Sequence, residues 1–260
     1  MKEIKRHLYL NEEITDNSVI ELVETINEIN DDDDAREEDI INMAQSLISQ
    51  GVISSNEIKI PEREPIMLEI NCAGGSLSAG FMLITAIENS VTPIIGYVTG
   101  HCMSMAVAIL ASCDFKISSR FASFMIHEVS SGFFGKFGEM MPYLGYIDNG
   151  RANYKNVITD NTGIDDERLE EMMKRNHDYF FFPNEALEIG LIDCIDIDGV
   201  DANLFAKKVC GISMTDEIDN DTDESINIDN GKTEEHPDAT TDFSNLSDLD
   251  VKELFPLNVE

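Results

Sequence analysis

Two strand–turn–helix units in the middle of the sequence limit its possible folds more than any other feature. Each unit begins with a short apolar run, over 66–70 and over 94–98, that is typical of a buried strand. A glycine turn follows each run, and apolar residues at helical spacing come next, over 77–88 in the first unit. Strands and helices alternate in this way across 66–196, which predicts an α/β fold.

The second turn carries a lone hydroxyl, that of Ser104, in the small and apolar stretch 100–111. A serine nucleophile is presented in this position, just after a strand and at the start of a buried helix. A serine hydroxyl also needs a base within reach, an acid that orients the base, and backbone N–H donors for the oxyanion. The alternative is that Ser104 is only a small residue in the first turn of a helix.

Three other places could supply the missing parts. His127 ends the apolar run 123–127, Asp178 precedes an aromatic run, and Gly74 and Gly75 follow a strand. Taken singly, these are a strand-end histidine, a surface acid and a turn. Three glutamates of the preceding segment compete with Asp178 for the role of the acid: Glu167, Glu170 and Glu171. His101 and His177 are interpreted as neighbours of the site.

The N-terminal quarter predicts a strand over 7–10 and a helix that ends in an acidic loop at 30–34. Helix-capping side chains are available at three consecutive positions: Asp16, Asn17 and Ser18. A second amphipathic segment over 40–48 follows, and 52–65 is polar and irregular.

After the serine turn, short strands are predicted at 115–117 and 123–127. The aromatic and glycine-rich stretch 132–138 indicates a mobile extended flap. Three helices and a closing strand are then predicted, over 143–159, 165–177, 183–190 and 191–195.

The net charge, the cysteine content and the apolar runs argue against several kinds of partner, site and location. The net charge of −33 and the pI near 4.2 argue against nucleic acid and anionic membranes. The five cysteines contain no CxxC pair, which indicates reduced thiols rather than disulfides or a metal site. No signal-peptide core follows the N-terminus, and no apolar run reaches the ~20 residues of a spanning helix. We therefore expect a soluble, cytoplasmic protein.

The last part of the sequence changes in character. Residues 216–260 contain 15 Asp or Glu against Lys232 and Lys252. Such a composition predicts a disordered acidic tail, with a possible short docking motif over 249–255.

The four motifs together resemble those of a known protease family. The series comprises Asn71-Cys72-Ala73-Gly74-Gly75, Gly100-His101-Cys102-Met103-Ser104-Met105, Phe124-Met125-Ile126-His127 and Asp178-Tyr179-Phe180. In their order and separations they look like the successive signatures of ClpP, the proteolytic subunit of the Clp protease. The resemblance covers about 66–196, with a weaker match over 7–29.

The resemblance implies a crotonase-like fold of repeated β-β-α units with a protruding handle, here over 129–160. It also implies that Ser104 is the nucleophile, His127 the general base and later acid, and Asp178 the orienting acid. The backbone N–H groups of Gly75 and Met105 would bind the oxyanion, and no metal or cofactor is implied.

The resemblance further implies stacked homo-oligomeric rings, heptameric in the family, with the serines inside a closed chamber. The expected domains are a protease domain over 1–210, with an extended insertion at 30–65, and the acidic tail over 211–260. The resemblance implies an AAA+ unfoldase as the partner for ATP-dependent degradation, but two departures weigh against its docking here. The axial loop is missing or very short, and Met67 and Glu69 replace aromatic residues usual in the docking pocket.

Smaller departures leave the chemistry intact. Cys72 and Ala73 stand where the family usually has Ser-Pro, and Ala106 replaces a usual glycine. The expected function is that of an ATP-dependent Clp-type serine endopeptidase subunit, which cleaves peptides and unfolded proteins with a Ser-His-Asp triad inside an oligomeric chamber. Three alternatives stay open: a phage or mobile-element maturation protease of the same fold, a crotonase-type acyl-CoA enzyme, and a non-catalytic ring subunit.

Overall fold

The computed structural model describes residues 4–52, 54, 60–174 and 177–196. The acidic tail and the domain boundary at 210 lie outside these residues, so both remain predictions. In the described part, the chain forms seven strands and six helices. They are β1 (His7–Leu10), α1 (Asp16–Ser49), β2 (Ile66–Cys72), α2 (Leu77–Glu88), β3 (Ile94–Met103), α3 (Met105–Ala111), β4 (Phe115–Ser119), β5 (Ser123–Ile126), α4 (Phe137–Asn161), α5 (Asp166–Met172), β6 (Tyr179–Phe181), α6 (Pro183–Glu188) and β7 (Cys194–Asp196).

The strands of the described residues form one mainly parallel sheet in the order β1-β2-β3-β4-β7. On the side away from β2, the long strand β3 pairs with two different strands. Its first part pairs with β4, and its last part, 101–103, pairs in parallel with β5. β6 then pairs antiparallel with β5. The C-terminal end of β3 is therefore the place where β5 and β6 bring side chains together.

Helix α3 lies at the centre of the hydrophobic core. All seven of its residues, Met105 to Ala111, are buried. Small side chains let it lie close to β3, and α2 and α4 also contact it. Burying a large apolar side chain stabilises a fold by about 1.5–3 kcal/mol, so this helix is held firmly. The α/β prediction is confirmed.

Helix α1 corrects the prediction of an acidic loop at 30–34. The helix runs without interruption from Asp16 to Ser49, through all four aspartates. Asp33 is buried, and it accepts hydrogen bonds from Arg6 and, at 2.7 Å, from Thr92. Arg63 binds Glu37 on the next turn at 2.7 Å. Cations from other parts of the chain thus offset the repulsion among the carboxylates.

The ends of several other elements also differ from their predicted positions. The N-cap of α1 is Thr15, which forms a reciprocal capping box with Ser18. α4 begins at Phe137, six residues before the predicted start, and includes Pro142 in its second turn. α5 ends at Met172 rather than at 177. The predicted flap, 132–138, contains no strand: 132–136 lie outside the helices and strands of the described residues, and 137–138 begin α4. Within the same ranges, every helix is too short or too polar to span a lipid bilayer.

Candidate active site

Ser104 occupies a strained turn between β3 and α3. Its φ is 53°, and no other non-glycine residue in the described part of the chain has a positive φ. Such a conformation costs about 1–3 kcal/mol and persists where the surroundings impose it. Here Ser104 N–H donates to Met125 O at 2.8 Å, and Ser104 O accepts from Val107 N–H at 2.9 Å. The turn holds the hydroxyl clear of the core.

The pairing of β5 with β3 places His127 beside that hydroxyl. Met103 is in register with Met125, so the residues that follow the two strands lie next to each other. His127 Nε2 is 2.8 Å from Ser104 Oγ. The distance is that of a good hydrogen bond.

The antiparallel pairing of β6 with β5 brings Asp178 to the same place. Ile126 is in register with Tyr179, so the next pair in this register is His127 with Asp178. Asp178 Oδ1 lies 3.6 Å from His127 Nδ1, and 57% of the Asp178 side chain is exposed. The carboxylate is near the imidazole but beyond the length of a hydrogen bond.

A network anchors the residue next to Asp178. Arg168 donates to Tyr179 Oη at 2.7 Å, and Tyr179 Oη–H donates to Glu185 at 2.6 Å. Two of the three glutamates that competed with Asp178 in the sequence bind other residues. Glu170 binds Arg151 and Lys155, and Glu171 binds Arg168.

The glycine turn, Gly74 and Gly75, lies against the serine turn. A Cβ on Gly74 would be 2.8 Å from both Met103 O and Ser104 Cβ, and the φ of Gly74 is +101°. On Gly75 a Cβ would lie 2.3 Å from Ile14 O, with φ at +150°. Both positions therefore require glycine.

The glycine turn and the serine turn each contribute one backbone N–H group that donates no hydrogen bond among the described residues. Ile14 N–H donates to Gly74 O, and Ser76 N–H donates to Ile14 O, so the N–H of Gly75 points to the opposite side of this extended segment. Met105 begins α3, where an N–H has no partner within the helix. Neither N–H has an acceptor among the described residues. Such donors are suited to an oxyanion.

Cysteine nucleophiles are disfavoured at this site. Burial raises the pKa of the Cys102 thiol well above its usual value and also raises that of Cys72. Both thiols are therefore protonated at neutral pH, and a protonated thiol is a poor nucleophile.

Sequence patterns did not point to Tyr154 as part of the site. This residue is buried on α4, and its hydroxyl donates to Ser104 O at 3.3 Å. Burial raises the pKa of Tyr154, so the hydroxyl keeps its proton. Tyr154 connects α4 to the serine turn. Its helical position signalled only a core residue.

The two remaining histidines near the site have other contacts. His101 Nδ1 lies 3.0 Å from Ser123 Oγ, and the His177 ring contacts Tyr179 edge-on. No group of three or more His, Cys, Asp or Glu in the described ranges is arranged to hold a metal ion.

Comparison with known proteins identifies the family. The model of the Clp protease family matches residues 37–197. The chain belongs to the Clp protease family, a family of serine peptidases. The resemblance noted from the motifs is thereby confirmed, as is the fold class.

Curated members of the Clp protease family show similar identities. The ATP-dependent Clp protease proteolytic subunit of Deinococcus radiodurans is 30% identical over 153 residues, which is 58% of this chain and 72% of that protein. The ATP-dependent Clp protease proteolytic subunit 1 of Chlamydia muridarum is 31% identical over 136 residues, 51% of this chain and 70% of its own. The corresponding subunit of Chlamydia trachomatis is 31% identical over 137 residues, with the same shares. These values indicate a divergent member.

Proposed function

We propose that the chain cleaves peptide bonds with Ser104 as nucleophile, His127 as general base and Asp178 as orienting acid. The observation that carries the proposal is the 2.8 Å separation of His127 Nε2 from Ser104 Oγ. That contact connects the strained serine to the only kind of side chain that accepts a proton readily near pH 7. It favours a peptidase over a crotonase-type acyl-CoA enzyme, which does not need the serine.

The proposed reaction is acyl transfer in two halves. Ser104 Oγ attacks the scissile carbonyl carbon while His127 Nε2 takes the hydroxyl proton. The carbonyl electron pair moves onto oxygen, which the N–H groups of Gly75 and Met105 bind. The C–N bond then breaks, and His127 returns the proton to the leaving amine. Water repeats the sequence on the acyl-serine and releases the acid and free Ser104.

The proposed acid is held more loosely than a catalytic aspartate usually is. Its role would be to fix the imidazole tautomer with Nδ1–H towards the carboxylate and to stabilise the imidazolium. At 3.6 Å, a shift of less than 1 Å by Asp178 would complete this hydrogen bond. We propose that substrate binding or assembly supplies the shift.

We propose that peptides and unfolded proteins are the substrates. Val129 and Ser130 come two and three residues after His127. Within the described ranges they make no backbone hydrogen bond. An extended peptide can pair with such a segment as an added strand, and main-chain pairing tolerates many sequences. This supports a role in protein degradation, and equally a maturation protease of the same fold.

We propose that copies of the chain assemble into stacked rings, heptameric as the resemblance implies, with the serines inside. Support comes from α4, which exposes large apolar side chains that isolated soluble proteins usually cover. Phe137 is 85% exposed, Met141 71% and Leu144 50%. Native mass spectrometry of the full chain should give a mass of fourteen copies or another closed ring multiple; a monomer would contradict assembly.

ATP dependence is stated in the names of the relatives. For this chain we propose that a separate AAA+ unfoldase would hydrolyse the ATP, and that docking differs from that of the family. Glu69, at an expected docking position, is bound to His7 at 3.1 Å and to Thr99 at 3.1 Å. ATP should leave peptide cleavage by the chain alone unaffected.

The test of the proposed chemistry is labelling with a small uncharged fluorophosphonate. The parent chain should be labelled, Ser104→Ala should not, and His127→Ala should be labelled far more slowly. Ser112→Ala, at the other end of α3, is the matched control and should be labelled like the parent. Absence of labelling in an assembled parent chain would contradict the proposal.

A further inference from the structure

Two thiols face each other on the strands that lead to the proposed site. Cys72, the last residue of β2, is in register with Cys102 of β3, just after an irregularity in the strand pairing. Both are free thiols, and both side chains belong to the hydrophobic core. Register partners on neighbouring strands point to the same face of the sheet, with backbones about 4.8 Å apart.

This spacing is suited to a disulfide. Disulfides join residues whose Cα atoms lie about 4.4–6.8 Å apart, and within that range the backbone need not move far. A third buried thiol, that of Cys113, follows α3 outside the sheet and donates to Ile109 O at 3.5 Å. The strand pairing therefore selects Cys72 as the partner of Cys102.

The two thiols have different surroundings, which gives them different parts in an oxidation. Gly74 N–H donates to Cys72 Sγ at 3.3 Å, and this hydrogen bond opposes the rise in the Cys72 pKa that burial causes. Burial raises the pKa of Cys102 well above its usual value. Because thiolate character governs attack on a peroxide, Cys72 reacts first and Cys102 then resolves the product.

We propose that a peroxide joins Cys72 to Cys102 in a reversible disulfide, and that this bond slows the proposed peptidase by displacing the glycine turn. The effect on rate rests on the proposed function. Formation of the bond does not, because it depends only on the two thiols and their strands.

The reaction balances with hydrogen peroxide as the oxidant. The Cys72 thiolate attacks one peroxide oxygen, the O–O bond breaks, and the leaving hydroxide takes up a proton to become water. The sulfur of Cys102 then attacks the sulfenic acid on Cys72. The S–S bond forms, the S–O bond breaks, and the oxygen leaves as a second water with the Cys102 proton. Both thiols are mostly protonated beforehand, so the reaction is slow.

The bond would remove contacts that hold the glycine turn. As a free thiol, Cys72 donates to Glu12 O at 3.0 Å and accepts from Gly74 N–H. In the disulfide the S–H is lost and the sulfur turns towards β3. Gly74 packs against Ser104, and Gly75 carries a proposed oxyanion donor. A displacement of about 1 Å in such a site costs on the order of 10²-fold in rate.

Peptide mapping tests for the bond itself. The full chain is treated with hydrogen peroxide, its remaining thiols are blocked, and it is digested without reductant. A peptide pair linked through Cys72 and Cys102 should appear, and dithiothreitol should separate it. Cys102→Ala should give no such pair, whereas the control Cys194→Ser, half-buried and outside the pair, should give it. Absence of the pair in the parent chain, or either thiol linked to another cysteine, would overturn the inference.

Labelling with the small uncharged fluorophosphonate tests the consequence. Peroxide should slow labelling of the parent chain about a hundredfold, and dithiothreitol should restore it. Cys72→Ser should be labelled like the reduced parent before and after peroxide, because its hydroxyl can make the same two hydrogen bonds. Oxidation of a nearby methionine such as Met105 is distinguished because dithiothreitol would leave its sulfoxide in place. Unchanged labelling of the disulfide form, or an equal loss in Cys72→Ser, would contradict the proposed effect.

The two measurements separate failure of this inference from failure of the proposed function. If the reduced parent chain is labelled but forms no linked pair, the disulfide is wrong and the proposed chemistry stands. If the reduced parent chain is not labelled, the proposed chemistry fails, and the peptide map still decides whether the disulfide forms.

Discussion

The serine end and the acid end of the proposed triad are built differently. Ser104 is fixed by backbone hydrogen bonds on both sides and by α3, whose residues are all buried. Asp178 is more than half exposed and lies 3.6 Å from the imidazole it would orient. Under the proposed function, a single chain would complete the nucleophile and the oxyanion donors by itself. Substrate or a neighbouring copy would then tighten the acid end.

His127 belongs to both ends, so its removal should have the largest effect. His127→Ala should lower peptide hydrolysis by about 10⁶, as when the general base of a serine protease is removed. Steady-state hydrolysis of a fluorogenic peptide measures the loss. His101→Ala, whose ring contacts Ser123 instead, is the matched control. Loss of less than tenfold in His127→Ala would show that another group is the base.

The glycine turn tests the serine end. Gly74→Ala adds a Cβ 2.8 Å from Met103 O and Ser104 Cβ at a φ of +101°. The turn must shift, and the loss of one oxyanion donor or about 1 Å of alignment costs roughly 10²–10³ in rate. The same peptide assay measures it, with Gly145→Ala as control because a Cβ there meets nothing within 4 Å. Full activity in Gly74→Ala would show that the serine end tolerates displacement.

Asp178→Asn tests the acid end and should have a smaller effect. A tightly bound catalytic aspartate contributes about 10⁴ to the rate. Because Asp178 is exposed and at 3.6 Å, we expect a loss of about tenfold to a hundredfold. The kcat values of both chains should be measured at saturating peptide. A loss near 10⁴ would mean that the acid end is as rigid as the serine end, and no loss would remove Asp178 from the triad.

Asp33 shows what a firmly held carboxylate looks like in this chain. Burial alone would raise its pKa, but hydrogen bonds from Arg6 and Thr92 and the charges of Arg6 and Arg63 hold it below the ordinary 3.8. Asp33→Asn should therefore reduce the free energy of unfolding by about 1–3 kcal/mol at pH 7. Asp178→Asn should change it by about 0.5 kcal/mol or less.

The pH dependence of unfolding checks the same contrast. With its folded-state pKa below the unfolded-state pKa, Asp33 stabilises the fold fully above about pH 4 and loses this contribution as pH falls through the folded-state pKa. Urea titrations between pH 7 and pH 3 should show a smaller loss of stability in Asp33→Asn than in the parent. The exposed Asp31→Asn is the control. An unchanged slope would mean that the Arg6–Asp33 pair contributes nothing to folding.

Tyr154→Phe should have the smallest effect. It removes one hydrogen bond of 3.3 Å to Ser104 O, which still accepts from Val107 N–H. We expect kcat to fall by about threefold or less, and stability by about 1 kcal/mol. Comparing kcat with KM in Tyr154→Phe separates a shift of the serine turn from weaker substrate binding. A loss above a hundredfold would make α4 a principal support of the nucleophile.

Features fixed by local sequence were predictable. The bounds of α2, Leu77–Glu88, were predicted from the apolar spacing after the glycine turn, and the structure has the same bounds, with Ser76 as the N-cap. The series of motifs also indicated which residues meet at the site. His127 and Asp178 come close to Ser104 because β5 and β6 pair at the end of β3, and short runs before each residue signalled those strands only in part.

Features that depend on distant partners were not predictable. The continuity of α1 through its four aspartates needs Arg6 and Thr92, which are 27 and 59 residues from Asp33 in the chain. A charge run alone indicates a solvated loop. The contact of Tyr154 with the serine turn likewise spans 50 residues. The distance between Asp178 and His127 depends on strand pairing, which no periodicity encodes.

Trapping the acyl-enzyme tests the central claim most directly. A peptide ester mixed with the full chain and quenched in acid should leave one acyl group per active chain. Mass spectrometry of the digested protein should place that group on Ser104, and the signal should be absent in Ser104→Ala. An acyl group on any other residue, or peptide cleavage that continues in Ser104→Ala, would contradict the account.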